Sequence, residues 1–230
     1  MEYKKIKKGS FWERPNRFIA LVEIEGTVQT CHVKNTGRCR ELLVPGAVVY
    51  LEGSDNPNRK TAYSIVAVEK GTRLINMDSQ APNQVWEEAL LRDFSLTGLK
   101  DPLVSLRREV KYGDSRLDFL AQTDAGPVYM EVKGVTLEED GAVFFPDAPT
   151  ERGIKHLHEL ERVVGEGGRA FAVFVIQLED VAYFAPNDAT HPAFGKALCH
   201  AQQAGVGILA YDCRVTPGSL QIGKPVEMRL

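Results

Sequence analysis

The sequence predicts an α+β chain: a small N-terminal β-barrel of the OB kind, followed by a mixed sheet flanked by helices. Three observations carry that expectation. The first 80 residues are broken repeatedly by Gly, Pro, Asn and Asp and show no long helical period. Beyond Gln80-Ala81-Pro82, apolar residues begin to recur at helical spacing. The C-terminal part then alternates helix-like stretches with apolar runs of the kind found in strands buried on both faces.

The elements follow in order. Residues 17–24 and 27–33 are rich in β-formers and are joined by Glu25-Gly26, a two-residue hairpin signal. Strands are expected at 48–52 and 61–68, and a short turn of helix at 36–43. Several short strands in so few residues fit a small closed barrel. A boundary near Gln80-Ala81-Pro82 divides the chain into residues 1–80 and 81–230. After it, 83–94 reads as a helix with Trp86, Ala89, Leu90 and Phe94 along one side. Strands are expected at 106–111, 117–122 and 128–133. The helix that follows carries Ile154, Leu157, Leu160 and Val164 on one face, and Thr150 is placed to cap its start. A buried strand at 170–177, a helix at 192–204 stopped by Gly205, and a strand at 206–211 complete the pattern.

Composition bounds the function. With 230 residues, 43% of them apolar, the chain can bury a sizeable core, and 26% charged residues give no sign of disorder. The net charge of −3 is unevenly spread: residues 1–80 carry +4 and residues 81–230 carry −7. A basic front half suits a polyanionic partner, whereas any phosphate-binding surface in the acidic half must be local. Cys31, Cys39, Cys199 and Cys213 lack C-x-x-C spacing, which argues against structural zinc and fits packing residues in a reducing compartment. No apolar run is long enough to span a bilayer, and the basic start lacks the apolar stretch of a signal peptide. A cytoplasmic address without membrane partners is the expectation.

Charges inside the strands of residues 116–134 mark the candidate site. If the turn is centred between Asp124 and Ala125, Asp118 faces Glu131 directly, while Glu131 and Lys133 share a face. Two facing carboxylates oppose full ionisation unless a cation neutralises them. They are hard oxygen ligands suited to Mg²⁺ or Mn²⁺. A neighbouring lysine can assist the attacking water or stabilise charge on a phosphate. The same pattern fits an exposed hairpin with an ordinary salt-bridged face, and spacing alone does not decide between them. On the following helix Arg152, Lys155, His156 and Glu159 lie beside the apolar stripe, where they form either a phosphate-binding face or a solvated one.

The order helix, strand, strand with Asp, strand with Glu-x-Lys, helix resembles the core of the PD-(D/E)xK nuclease-like fold. In that resemblance Asp118, Glu131 and Lys133 take the acid, acid and lysine positions, with Leu117-Asp118 in place of Pro-Asp, and Glu88 on the preceding helix is a further acid. The blocks RPNRF, HVKNTGRCRELL, NRKTAYSIVAVE, RLDFL, MEVKGVTL and FFPDAPTERGIKHLHEL, with FAVFVIQ and AGVGILAYDC, resemble the sugar fermentation stimulation protein family over nearly the whole chain. The resemblance implies an OB-like domain joined to a nuclease-like domain and an association with DNA.

The N-terminal blocks then gain a role. Arg14, Arg17, Asn35, Arg38, Arg40, Arg59 and Lys60 supply donors for phosphate oxygens. Phe11, Trp12 and Phe18 either stack on bases or pack in the core. The remaining histidines, His32, His158, His191 and His200, lack ligand spacing. Two functions follow: a metal-dependent nuclease acting on nucleic acid, with DNA the expected polymer, or a non-catalytic DNA-binding regulator on a nuclease scaffold.

Overall fold

The computed structural model describes residues 1–35, 37 and 39–230, so the expected phosphate contact Arg38 lies outside the described residues. The barrel is built from β1 (Ile6–Asn16), β2 (Ile19–Ile24), β3 (Thr27–Val33), β4 (Val48–Gly53) and β5 (Tyr63–Lys70), with β6 (Arg73–Asn76) alongside β5. β1 pairs with both β2 and β4, and β4 pairs with β5, all antiparallel. Parallel pairing of His32 and Val33 with Ser64 and Ile65 closes the circle. Closure gives each of β1 to β5 a partner on both sides, and inward residues such as Val22, Cys31, Leu51 and Ile65 fill the interior.

The barrel differs from expectation in two places. β1 was hidden in the sequence because its charges and Pro15 mask any alternation; its register shifts between Phe11 and Glu13, as in a β-bulge. Arg17 and Phe18 form the hairpin turn rather than the start of β2. Gly9 lies where β1 crowds β2: a Cβ there would sit 2.6 Å from Val22 Cγ1. Of the short helical turn expected at 36–43, residues 39–43 form one, in which Leu43 N–H donates to Cys39 O at 2.9 Å, while Thr36 and Arg38 lie outside the described residues.

The second half opens with α1 (Ala81–Arg92), whose proline in the first turn is pre-set for helix entry. Asp93 ends it by accepting the Ser95 N–H, and a short 3-10 turn (Phe94–Thr97) follows. Then come β7 (Leu103–Tyr112), β8 (Ser115–Thr123), β9 (Gly126–Val135), β10 (Leu137–Glu139), β11 (Ala142–Phe145), α2 (Glu151–Gly165), β12 (Arg169–Ile176), β13 (Phe184–Pro186), α3 (Pro192–Gln203), β14 (Gly207–Thr216) and β15 (Ser219–Pro225). The main sheet has the order β15-β14-β12-β9-β8-β7, with β12 parallel to both β9 and β14 and the other pairs antiparallel. A small sheet, β10-β11-β13, was not expected; its strands are only three or four residues long.

Helices cover both faces of the main sheet. On one, Val85, Trp86 and Leu90 of α1 pack with Phe119, Met130 and Val173. On the other, Leu157 and Leu160 of α2 and Phe194 and Leu198 of α3 join Ala172 and Phe174 in a core that continues into the barrel. Polar groups also join the halves: Gln177 Nε2 donates to Asn76 Oδ1 (2.8 Å) and Asp78 O (3.0 Å). Lys34 Nζ meets Asp78 Oδ2 at 3.0 Å. Asn76, Asp78 and Gln177 are buried and hydrogen-bonded, so this junction fixes where the barrel meets the second half.

Candidate metal centre and nucleic-acid face

The β8–β9 hairpin turns at Asp124-Ala125 and pairs Thr123 with Gly126 and Phe119 with Met130, the register expected from the turn. The ladder stops there. β8 remains paired with β7 as far as Ser115, while β9 remains paired with β12 as far as Val135. The two strands therefore part at the position where Asp118 and Glu131 would be opposite each other. Asp118 spans the opening: its Oδ2 accepts the Val132 N–H at 2.8 Å, and its Oδ1 accepts from Asn83 Nδ2 at 2.9 Å.

Glu131 is 4% exposed. Its Oε1 receives Lys133 Nζ at 2.5 Å and also meets His156 Nδ1. Its Oε2 is buried with no hydrogen-bond partner. Arg152 Nε lies 3.4 Å from His156 Nε2. A carboxylate only accepts, so in the contact with Glu131 Oε1 it is His156 Nδ1 that donates. Arg152, His156, Glu131 and Lys133 thus form a chain in which both contacts to Glu131 fall on Oε1 and leave Oε2 without a partner.

The two acids are driven apart electrostatically. Burial, then the charge of Glu131, raise the Asp118 pKa against the opposing hydrogen bonds from Val132 and Asn83. Burial alone would also raise Glu131, but the His156 hydrogen bond and the Lys133 ammonium outweigh it and hold that carboxyl below its usual range. Among the described residues no group of three or more His, Cys, Asp or Glu gathers as a metal cage. The donor set is two carboxylates, which suits an ion that keeps water and substrate oxygens as its other ligands.

The other expected site residues separate. Glu88 is turned away from the acid pair: it binds the Met1 amino group at 2.6 Å and accepts from Gln84. α1 reaches the site through Asn83 instead, a contribution that no short-range spacing signals. His156 is 4% exposed and lies with Gly153, Leu157, Leu160 and Val163 on the buried side of α2, so it supports Glu131 from within. Arg152 is exposed at the mouth. Lys155 points elsewhere, donating to Asp114 O at 3.2 Å.

On the barrel, Arg14 is spent on structure. Its guanidinium donates to Gly37 O (2.9 Å), Arg17 O (2.7 Å) and Asn35 O (2.6 Å), tying the β1–β2 turn to the loop after β3. Asn35 Oδ1 accepts the Gly37 N–H. Arg17 and Arg40 are exposed and flank one cleft. Arg59 and Lys60 are exposed on the β4–β5 loop, with Arg59 donating to Ser64 Oγ. The three aromatics divide: Phe11 is core, whereas Trp12 and Phe18 are 51% and 49% exposed.

Known proteins resemble the chain along its whole length. A family model described as "Sugar fermentation stimulation protein RE domain" matches residues 80–219, and one described as "SfsA N-terminal OB domain" matches residues 13–77. Sugar fermentation stimulation protein homologs from Ruminiclostridium cellulolyticum and Clostridium beijerinckii are 51% and 50% identical over 230 residues, covering 100% of this chain and of each relative. The solved structure of Pyrococcus furiosus SfsA in complex with Ca²⁺ superposes with a TM-score of 0.89 at 28% identity, covering 100% of this chain and 98% of that one. The expected fold class holds: an OB-like barrel followed by a mixed α/β sheet of the nuclease-like type.

Proposed function

Because the chain belongs to the sugar fermentation stimulation protein family, we propose that it is a divalent-metal-dependent phosphodiesterase acting on nucleic acid, with DNA the expected polymer. The observation that carries this reading is Glu131 Oε2, a buried carboxylate oxygen without a partner, whose charge acts on a second, half-buried acid, Asp118. An unpaired buried anionic oxygen is costly unless a ligand satisfies it. A cation offsets both that cost and the repulsion that disfavours ionised Asp118. The Ca²⁺ complex of the Pyrococcus furiosus relative supports a divalent ion in this family.

Asp118 and Glu131 would hold Mg²⁺ or Mn²⁺. When bound, the ion supplies Lewis acidity toward a phosphate oxygen and acidifies coordinated water. Lys133 Nζ lies against Glu131 and offers donors to charge developing on the phosphate. Arg152, exposed at the mouth, steadies a phosphate of the substrate. His156 orients Glu131, and Asn83 with the Val132 amide orients Asp118. The free state of all four cysteines fits a cytoplasmic location, and no helix among the described residues is long and apolar enough to cross a membrane.

A second reading, a DNA-binding regulator without catalysis, is favoured by one observation: among the described residues no third His, Cys, Asp or Glu joins the acid pair in a metal cage. Incubating wild type and Glu131→Gln with single- and double-stranded DNA and RNA, in Mg²⁺ or Mn²⁺, separates the two. Cleavage by the wild type that disappears in the variant supports the nuclease. Equal binding without cleavage in both supports the regulator.

A further inference from the structure

We infer that the chain takes a single nucleic-acid strand, led from the barrel's first hairpin turn across Gly37 toward Glu131, in preference to a duplex. The inference deepens the proposed function and rests on it for the destination of the strand. Two clefts meet at Gly37, each of about 300 Å³. One is lined on the barrel by Asn16, Arg17, Arg40 and Leu43. The other is lined by Asn35, Ser79, Gly134, Thr136 and Asp147, so it runs against the residues that follow Lys133 in β9.

The junction between them is narrow and built. A Cβ on Gly37 would stand 2.9 Å from both Asn35 Oδ1 and Asp147 Oδ2, so the barrel loop there touches the segment entering α2. Arg14 fixes that loop to the hairpin turn through the three carbonyls it binds. Clefts of this volume are at the small end of ligand pockets. Each has room for about one nucleotide of a strand.

The entrance has the chemistry of a stacking platform. Phe18 is half-exposed although its backbone is held on both sides: Asn16 Oδ1 accepts the Phe18 N–H at 2.9 Å, and Phe18 O accepts the Val33 N–H at 2.8 Å. An aromatic ring displayed on a fixed turn still exposes apolar surface to water, which a stacked base would cover. Arg17 lies over the same ring, 5.4 Å from its centre. Neither Arg17 nor Arg40 is paired with a carboxylate among the described residues, so both remain able to meet phosphates. Among the described residues Asp147 is the one acidic side chain lining either cleft, and it opposes a phosphate there.

The test is binding, read by fluorescence anisotropy in the Glu131→Gln background, of a labelled mixed-sequence single strand and of the same strand annealed to its complement. The single strand should bind at least several-fold tighter. Phe18→Ala should weaken single-strand binding roughly tenfold while leaving the duplex little changed. Asp147→Asn should tighten single-strand binding a few-fold. A duplex bound as tightly as the single strand, no binding of either, or indifference of the single strand to Phe18→Ala would overturn the inference. Indifference to Asp147→Asn would remove the route through the second cleft and overturn it as stated. Failure of the nuclease reading has a different signature, the absence of metal-dependent cleavage by the wild type, and leaves these affinities untouched.

Discussion

Asp118 and Val132 are joined across the mouth of an opening hairpin: the Val132 amide donates to Asp118 Oδ2 at 2.8 Å where the β8–β9 ladder has already ended. A side chain thus takes over a main-chain hydrogen bond at the point where the strands part. The splay keeps its amide satisfied and leaves room between β8 and β9 for a site.

Asp118→Asn should separate stability from metal binding. Asparagine keeps an oxygen for the Val132 amide and removes a charge that burial and Glu131 both disfavour. Without metal, the variant should be as stable as the wild type or more stable by about 1 kcal/mol. Its Mn²⁺ affinity should be lost. Urea melts in chelator together with a Mn²⁺ titration check both halves.

His156→Ala should be destabilising by about 2–4 kcal/mol, because it removes a buried donor from an already desolvated carboxylate. His156→Asn, which can still donate, should recover part of the loss. Equal stability of all three proteins in urea would show that His156 does not support Glu131.

Glu138 gives a pH signature outside the site. It is buried, accepts from Lys70 Nζ (2.8 Å) and the Gly141 amide (2.7 Å), and lies 3.7 Å from Arg73 Nε. Burial alone would raise its pKa; the Lys70 and Gly141 hydrogen bonds prevail and hold it below the usual carboxylate range. A depressed folded-state pKa means stability that is present above the unfolded value, about 4.3, and lost as pH falls through the folded value. Glu138→Gln should therefore cost about 1–3 kcal/mol at neutral pH and progressively less in acid. Urea melts of both proteins at neutral pH and near pH 3 would reveal a constant difference if this account fails.

Arg14→Lys should lower stability by about 1–3 kcal/mol, since an ammonium cannot reproduce a planar fork set on three carbonyls. Arg40→Ala should leave stability unchanged and flatten the salt dependence of DNA binding by roughly one contact's worth of slope. The opposite assignment would appear as a steep salt change for Arg14 and a melt change for Arg40.

Much of the frame was legible because it depends on local rules. The two-residue turn at Asp124-Ala125 sets the register of β8 on β9, and so the approach of Asp118 to Glu131. Helical spacing located α2, but not how it is rolled: the apolar stripe through Ile154 left His156 with the polar residues, whereas packing turned it inward. Arg14 illustrates a different limit. A surface arginine and one that ties two loops look the same in sequence, because the carbonyls it binds are brought together only by barrel closure. Asn83 and Glu88 differ by little more than one helical turn, and which reaches Asp118 depends on the rotation of α1 against the sheet. β1 shows no alternation because it is bulged and carries Lys7, Lys8 and Pro15 up to the Arg17-Phe18 turn.

The most direct measurement is calorimetric titration of Mn²⁺ into wild type and Glu131→Gln at neutral pH. The account predicts saturable binding by the wild type that is lost in the variant, with both proteins equally folded. Equal Mn²⁺ binding by the two, or none by the wild type, would contradict a metal centre at Asp118 and Glu131.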